Sequence, residues 1–111
     1  MKLPNGNHAV VDLEKLTDYC LNPDHLRGRH KARVFRAALG IGREGAFWLR
    51  GRFLAAAREA SDVVIGEWDA YGQRYVLDLE VERAGRRAMV RTCWIVRTGE
   101  DFPRLTTAHV L

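Results

Sequence analysis

The chain has 111 residues, 47% of them hydrophobic, with 18 Lys/Arg against 14 Asp/Glu, a net charge of +4 and a pI near 9.5. Such a chain is expected to form one globular domain over 1–111, burying about two-thirds of the surface its unfolded form exposes; disorder and a two-domain plan are disfavoured. No apolar run approaches the roughly 20 residues of a membrane span, and nothing at the N-terminus resembles a signal peptide, so the expected setting is the cytoplasm, without a membrane partner.

A toxin cut from a larger exported protein would also lack a signal of its own, which leaves export by another route open. The charge is unevenly placed. Residues 1–60 carry 11 Lys/Arg against 6 Asp/Glu, while residues 61–111 carry 7 against 8. A localised positive field suits a polyanion, because phosphate contacts supply most non-specific affinity for nucleic acid. The two cysteines, Cys20 and Cys93, lack CxxC spacing and are read as reduced and partly buried.

In chain order, Asp12 followed by Leu13, Leu16 and Cys20 places an N-cap before an apolar line at helical spacing. This predicts a helix over about 12–21, stopped by Asn22-Pro23. A second helix is expected over 28–39 and ends at Gly40 and Gly42. The alanine-rich run from Glu44 to Ala60 reads as a third, with Ala46, Leu49, Phe53, Ala57 and Ala60 along one side, although Gly45 and Gly51 weaken it. After Ser61 the period changes. Tyr75, Leu77, Leu79 and Val81 alternate with Val76, Asp78, Glu80 and Glu82, the pattern of a half-buried strand.

Ala84-Gly85 is a two-residue turn candidate. It would set Tyr75 opposite Trp94, Leu77 opposite Thr92, Leu79 opposite Val90 and Val81 opposite Ala88, with Asp78 facing Arg91 and Glu82 facing Arg87 on the other side. A strand before this hairpin is expected within Val63–Tyr71 and another after it within Leu105–Leu111. The fold class expected is α+β: about three N-terminal helices, then an antiparallel sheet of about four strands.

The stretch with the most chemistry in it is Arg27 to Arg36, where six of ten side chains are Arg, Lys or His and none is acidic. On a helical wheel Arg29, Arg33 and Arg36 share one side, and Ala32, Phe35 and Leu39 another. Lys31 joins neither. It falls at the border of the apolar stripe, where an ammonium either snorkels to water or meets an anion. His25 precedes the helix in a turn set by Asn22-Pro23-Asp24, and imidazole suits proton transfer near neutrality. His30, between Arg29 and Lys31, ranks below His25 as a candidate. His25 and His30 lack zinc-site spacing and no Cys or carboxylate pair completes a ligand set, so no metal is expected. GxSxG and P-loop motifs are absent, and the one GxGxxG run, Gly40-Ile41-Gly42-Arg43-Glu44-Gly45, follows an expected helix where a dinucleotide fingerprint follows a strand, so hydrolase, kinase and dinucleotide readings lack support and no cofactor is expected.

The run D-L-E-K-L-x-D-Y-C-L-N-P-x-H-x-x-G-R-H-K-A-R-V-F, with Y-G-Q-R-Y and W-I-V-R-T-G-E-D-F-P-R-L-T-T later, resembles a family of short bacterial domains found as stand-alone proteins and in toxin-like settings. More distantly, the order of elements and the scattered His, Lys, Arg and Thr resemble the barnase–EndoU–colicin–RelE group of metal-independent endoribonuclease toxins. The resemblance implies catalytic positions at His25 and Lys31, a basic residue opening a strand at Arg74, and further positions at Trp94 and Thr107. It also implies a Tyr near the C-terminus, where this chain has His109.

The expected function is therefore a metal-independent endoribonuclease toxin. His25 would take the ribose 2′-OH proton, Lys31 and Arg74 would stabilise the phosphoryl charge, Thr107 would bond the phosphate, and His109 or His30 would protonate the leaving oxygen. RNA contacts are expected from Arg27, Arg29, His30, Arg33, Arg36, Arg91 and Trp94. The expected partners are RNA and a cognate antitoxin or immunity protein. The alternatives are a non-catalytic nucleic-acid-binding module and a protein-interaction domain such as an antitoxin or adaptor.

Overall fold

A computed structural model describes the whole chain, Met1–Leu111. Its first helix opens at Asp12, whose backbone is extended and whose carbonyl accepts the Lys15 N–H at 3.0 Å, while the carboxylate makes no capping bond. α1 (Leu13–Lys15) then widens into a π-helical turn, Leu16–Cys20, closed by the Leu21 N–H on the Leu16 carbonyl at 2.8 Å. The sequence predicted a plain helix here. Either winding buries Leu16 and Cys20, so the apolar spacing does not distinguish them, and the wider turn leaves Tyr19 half-buried beside the core.

α2 (Arg29–Leu39) buries Ala32, Phe35 and Leu39, as its wheel requires. Gly40 ends it in the left-handed region at φ 65°, with its N–H on the Arg36 carbonyl. α3 (Ala46–Glu59), entered through a 3-10 turn at Arg43–Gly45, buries Ala46, Leu49, Phe53 and Ala57. Gly51 lies on its exposed side with no neighbour near its Cα hydrogens, and the helix runs through it. No helix is long and apolar enough to cross a membrane.

The four strands β1 (Val64–Asp69), β2 (Gly72–Arg83), β3 (Arg86–Arg97) and β4 (Pro103–Val110) form one antiparallel meander in the order β1-β2-β3-β4. The fold is thus α+β, three helices followed by a four-stranded sheet. Between β2 and β3 the register is the one expected: Tyr75 faces Trp94, Leu77 faces Thr92, Leu79 faces Val90, Val81 faces Ala88, and Asp78 faces Arg91. Ala84 and Gly85 both have positive φ, 51° and 81°, which a two-residue type I′ turn needs and which matches the twist of the strands it joins.

The helices cover one sheet face, where Tyr75, Leu77, Val81, Val90, Trp94, Leu105 and Ala108 join Leu16, Phe35, Leu39, Leu49 and Phe53 in a cluster of 20 buried residues. Trp94 is the largest of these and is fully buried. Its indole N–H donates to Thr92 Oγ1 at 2.8 Å, and that hydroxyl donates to the Leu77 carbonyl at 2.7 Å. Trp94 is therefore core and not an RNA contact, because the strand period that sets it opposite Tyr75 also turns it under the helices.

A second departure lies in β4. Trp94 pairs with Leu105 but Cys93 pairs with Thr107, so Thr106 is an extra residue in a bulge. By simple alternation Thr107 would share the face of Leu105. The bulge instead keeps Leu105 and Ala108 buried and turns Thr107 and His109 to the opposite side, in register with Cys93 and Arg91.

Candidate functional site

α2 begins in an electrostatically costly way. No side chain caps it, and its first turn holds Arg29, His30 and Lys31 with no acidic residue. Cations oppose the positive end of the helix dipole, where an anion is favoured. Lys31 comes from this turn and reaches the edge of β4. Its Nζ donates to Thr107 Oγ1 at 2.7 Å and to the Tyr19 hydroxyl at 2.9 Å, lying 4.8 Å from the Tyr19 ring centre. No carboxylate lies within ion-pair range of Lys31. An ammonium has three N–H donors, and two are taken by neutral hydroxyls, so its charge stays uncompensated and one donor stays free.

A cleft of about 360 Å³ opens at this point, lined by His30, Lys31, Val34, Thr107, His109 and Val110. Burial, with the nearby charges of Lys31 and Arg91, lowers the pKa of His109 below its usual value against a smaller opposite pull from Asp78. At neutral pH its ring is therefore neutral and able to accept a proton. Cys20 Sγ lies 4.0 Å from Thr107 Oγ1, and Cys93 faces Thr107 across the strands. Burial raises both thiol pKa values despite the opposing charge of Lys31, so neither sulfur is a thiolate nucleophile near neutrality.

His25 has a structural role beside the one its sequence suggests. Its Nδ1 accepts the backbone N–H groups of Arg27 at 3.0 Å and Gly28 at 2.9 Å, so the imidazole organises the turn that leads into α2. That arrangement places the proton of the neutral ring on Nε2, which makes His25 a donor. Its ring stands edge-on to Tyr19 at 4.9 Å between centres, and it lines a neighbouring cleft of about 400 Å³ with Glu14, Lys15, Tyr19 and Arg27. Tyr19 thus lines the His25 cleft and, through its hydroxyl, accepts from Lys31.

Over residues 2–111 the sequence matches the family described as Domain of unknown function (DUF6883). The chain belongs to that family. The DUF6883 fold is also similar to a chain of a contact-dependent growth inhibition toxin–immunity protein complex from Klebsiella pneumoniae 342. That likeness has a TM-score of 0.72 at 18% identity, covering 92% of this chain and 99% of the other. None of the curated proteins matches it.

In this DUF6883 chain the remaining candidates are spread over three places. Arg91 sits beside His109 in the same cross-strand row, its Nε and Nη2 both donating to Asp78 at 2.9 Å. Arg74 is further along the same sheet face, pairs with Asp69 at 3.4 Å and does not line the Lys31 cleft. Arg29, Arg33 and Arg36 line a separate cleft on the other flank of α2. No three His, Cys, Asp or Glu side chains gather where they could hold a metal ion. The residue that sequence reasoning missed is Tyr19. Its signal was weak: a half-polar aromatic just off the Leu13-Leu16-Cys20 line.

Proposed function

We propose that this chain is a toxin-type endoribonuclease that cleaves RNA without a metal ion. The observation that carries the reading is the uncompensated ammonium of Lys31, held by two hydroxyls beside a neutral histidine in an open cleft. His109 takes the proton of the ribose 2′-OH, and O2′ bonds to the adjacent phosphorus as the P–O5′ bond breaks. Lys31 donates to the phosphoryl oxygens as their charge grows, with Arg91 alongside. His30, on the rim of the same cleft, returns a proton to O5′. Acid–base groups of this kind contribute about 10² to 10⁴ in rate, and positioned cations add to that in the transition state. Thr107 and Tyr19 aim Lys31, while His25 Nε2–H offers a hydrogen bond from the adjoining cleft. The base role expected of His25 passes to His109 because the His25 Nδ1 lone pair is already engaged.

The likeness to a toxin–immunity complex supports a setting of growth inhibition with a cognate partner protein, and the target RNA places the activity in the cytoplasm of the cell attacked. Binding without turnover would use the free cation equally but has no need of a neutral base beside it, so turnover is what separates the two readings. The test is incubation of purified protein with single-stranded RNA in excess EDTA. Cleavage leaving 2′,3′-cyclic phosphate ends, absent on DNA and lost in Lys31→Met, is the expected result. Equal cleavage of DNA, or activity abolished by chelation, overturns the mechanism.

A further inference from the structure

The cations of α2 are divided between two clefts. Lys31 stands some 200° round the helix from Arg29, at about 100° per residue, and the core face containing Ala32, Phe35 and Leu39 lies between them. The second cleft, about 350 Å³, has Arg29, Arg33 and Arg36 on its rim, with Leu21, Ala32 and Pro23 contributing an apolar floor. Arg36 shares Glu44 at 3.7 Å, both side chains being 65% exposed, whereas Arg29 and Arg33 pair with no carboxylate. Two unpaired guanidinium groups one turn apart, above an apolar floor, match the alternation of phosphates with sugars and bases along a flexible strand.

We propose that α2 is a ridge crossed by single-stranded RNA, with the scissile phosphate in the Lys31 cleft and flanking phosphates held by Arg29 and Arg33 on the opposite flank. This rests on the ribonuclease reading and adds a substrate class to it: a strand longer than a few nucleotides. A helix with its side chains is about 10–12 Å across, several times the ~3.4 Å axial rise of a stacked nucleotide. A trinucleotide seated at Lys31 therefore falls short of Arg29 and Arg33. The exposed crest of the ridge is formed by His30, Val34 and Ala37, small or uncharged enough to let a strand pass.

The test is binding of fluorescent 2′-O-methyl RNA, which has no attacking hydroxyl, by the wild-type chain and by the double variant Arg29→Ala/Arg33→Ala. A 12-mer and a trinucleotide are compared across a salt series, with Arg52→Ala/Arg58→Ala on α3 as a charge-matched control. The expected result is that Arg29→Ala/Arg33→Ala weakens 12-mer binding by on the order of tenfold and flattens its log–log salt slope by about 1.4, roughly 0.7 per lost single-strand contact. Trinucleotide binding keeps its slope, and the control variant keeps both. An unchanged slope in the Arg29/Arg33 variant, or equal flattening in the control, overturns the ridge. So does tighter, slope-matched binding of polyglutamate in place of the 12-mer, which would assign the arginines to an acidic protein. Failure of the ribonuclease reading shows separately, as absence of cleavage of unmodified RNA by the wild-type chain.

Discussion

The ammonium of Lys31 lies 2.7 Å from the hydroxyl of Thr107, a residue 76 positions away. Past its bulge at Thr106, strand β4 brings that hydroxyl to the strand edge, 4.0 Å from Cys20 Sγ, and α2 brings the ammonium to it from its first turn. Neither group is charged against the other, so the pair fixes the cation without neutralising it.

If that cation meets the scissile phosphate, Lys31→Met keeps the aliphatic stem and removes the charge. Stability should be equal or slightly higher, because a cation kept for function at an apolar border burdens the fold. RNA cleavage should fall by on the order of a hundredfold or more. Thermal unfolding and initial rates on one protein preparation decide it: a stable Lys31→Met protein that still cleaves at the wild-type rate removes Lys31 from the mechanism.

Tyr19→Phe and Thr107→Val each take away one of the two acceptors that aim Lys31. A hydrogen bond to a charged group is worth about 1.5–3 kcal/mol, so a loss felt in the transition state lowers kcat about 10- to 100-fold. Because these residues position the lysine and do not exchange protons, the pH at which activity is half-maximal should stay put while kcat falls. A displaced pH midpoint would instead mark Tyr19 as a proton-transfer group.

His109 gives a pH signature of its own. Its protonated form is disfavoured in the fold, so between the lowered folded pKa and the ordinary value of 6.5 the unfolded chain binds more protons. Stability therefore rises with pH through that window, is complete above it, and is lost as pH falls. His109→Gln should flatten this part of the curve, measured by urea unfolding in buffers below pH 6.5, and should abolish the rise of cleavage with pH in the same range. Asp78, whose carboxylate is stabilised chiefly by its hydrogen bonds from Arg91, loses its contribution only at lower pH, within and below the carboxylate range. The two groups are thus separable.

The hairpin was legible in the sequence because two constraints agree: apolar residues alternate on one face while Asp78 and Glu82 meet Arg91 and Arg87 on the other. A slip by one residue would break both sets at once. The side of α2 from which Lys31 leaves could likewise be read from a wheel. The partners of Lys31 could not, since Tyr19 depends on a π-helical turn and Thr107 on a bulge, and each adds local winding to an apolar spacing that looks regular without it. The structural use of His25 was hidden for a related reason. Its residue type suits catalysis, and that its Nδ1 also holds the backbone of its own turn is visible only once Arg27 and Gly28 are folded back over it. Trp94 shows the opposite failure, for its burial followed from the hairpin register while the resemblance suggested a functional position.

Gly28 joins the turn of His25 to α2 and lies directly against the π-helical turn. A methyl group there would run into the carbonyl oxygen and ring edge of Tyr19. Both are fixed, the carbonyl by the Asn22 N–H at 3.2 Å and the ring by Lys31 and His25. Gly28 itself has φ −88°, a backbone angle that alanine adopts freely, so any cost of Gly28→Ala comes from this contact and not from conformational strain. Overpacking of this kind costs about 1–3 kcal/mol, and the movement that relieves it pushes Tyr19 away from α2 and takes the Lys31 acceptor with it. Gly28→Ala should therefore lower the urea midpoint and reduce kcat more than it reduces RNA binding. Gly51→Ala, placed where a methyl meets nothing within 4 Å, should raise stability by about 0.5–1 kcal/mol through helix propensity alone and leave cleavage untouched. If Gly28→Ala proves as benign as Gly51→Ala, Tyr19 is not held against α2 and its part in aiming Lys31 fails with it.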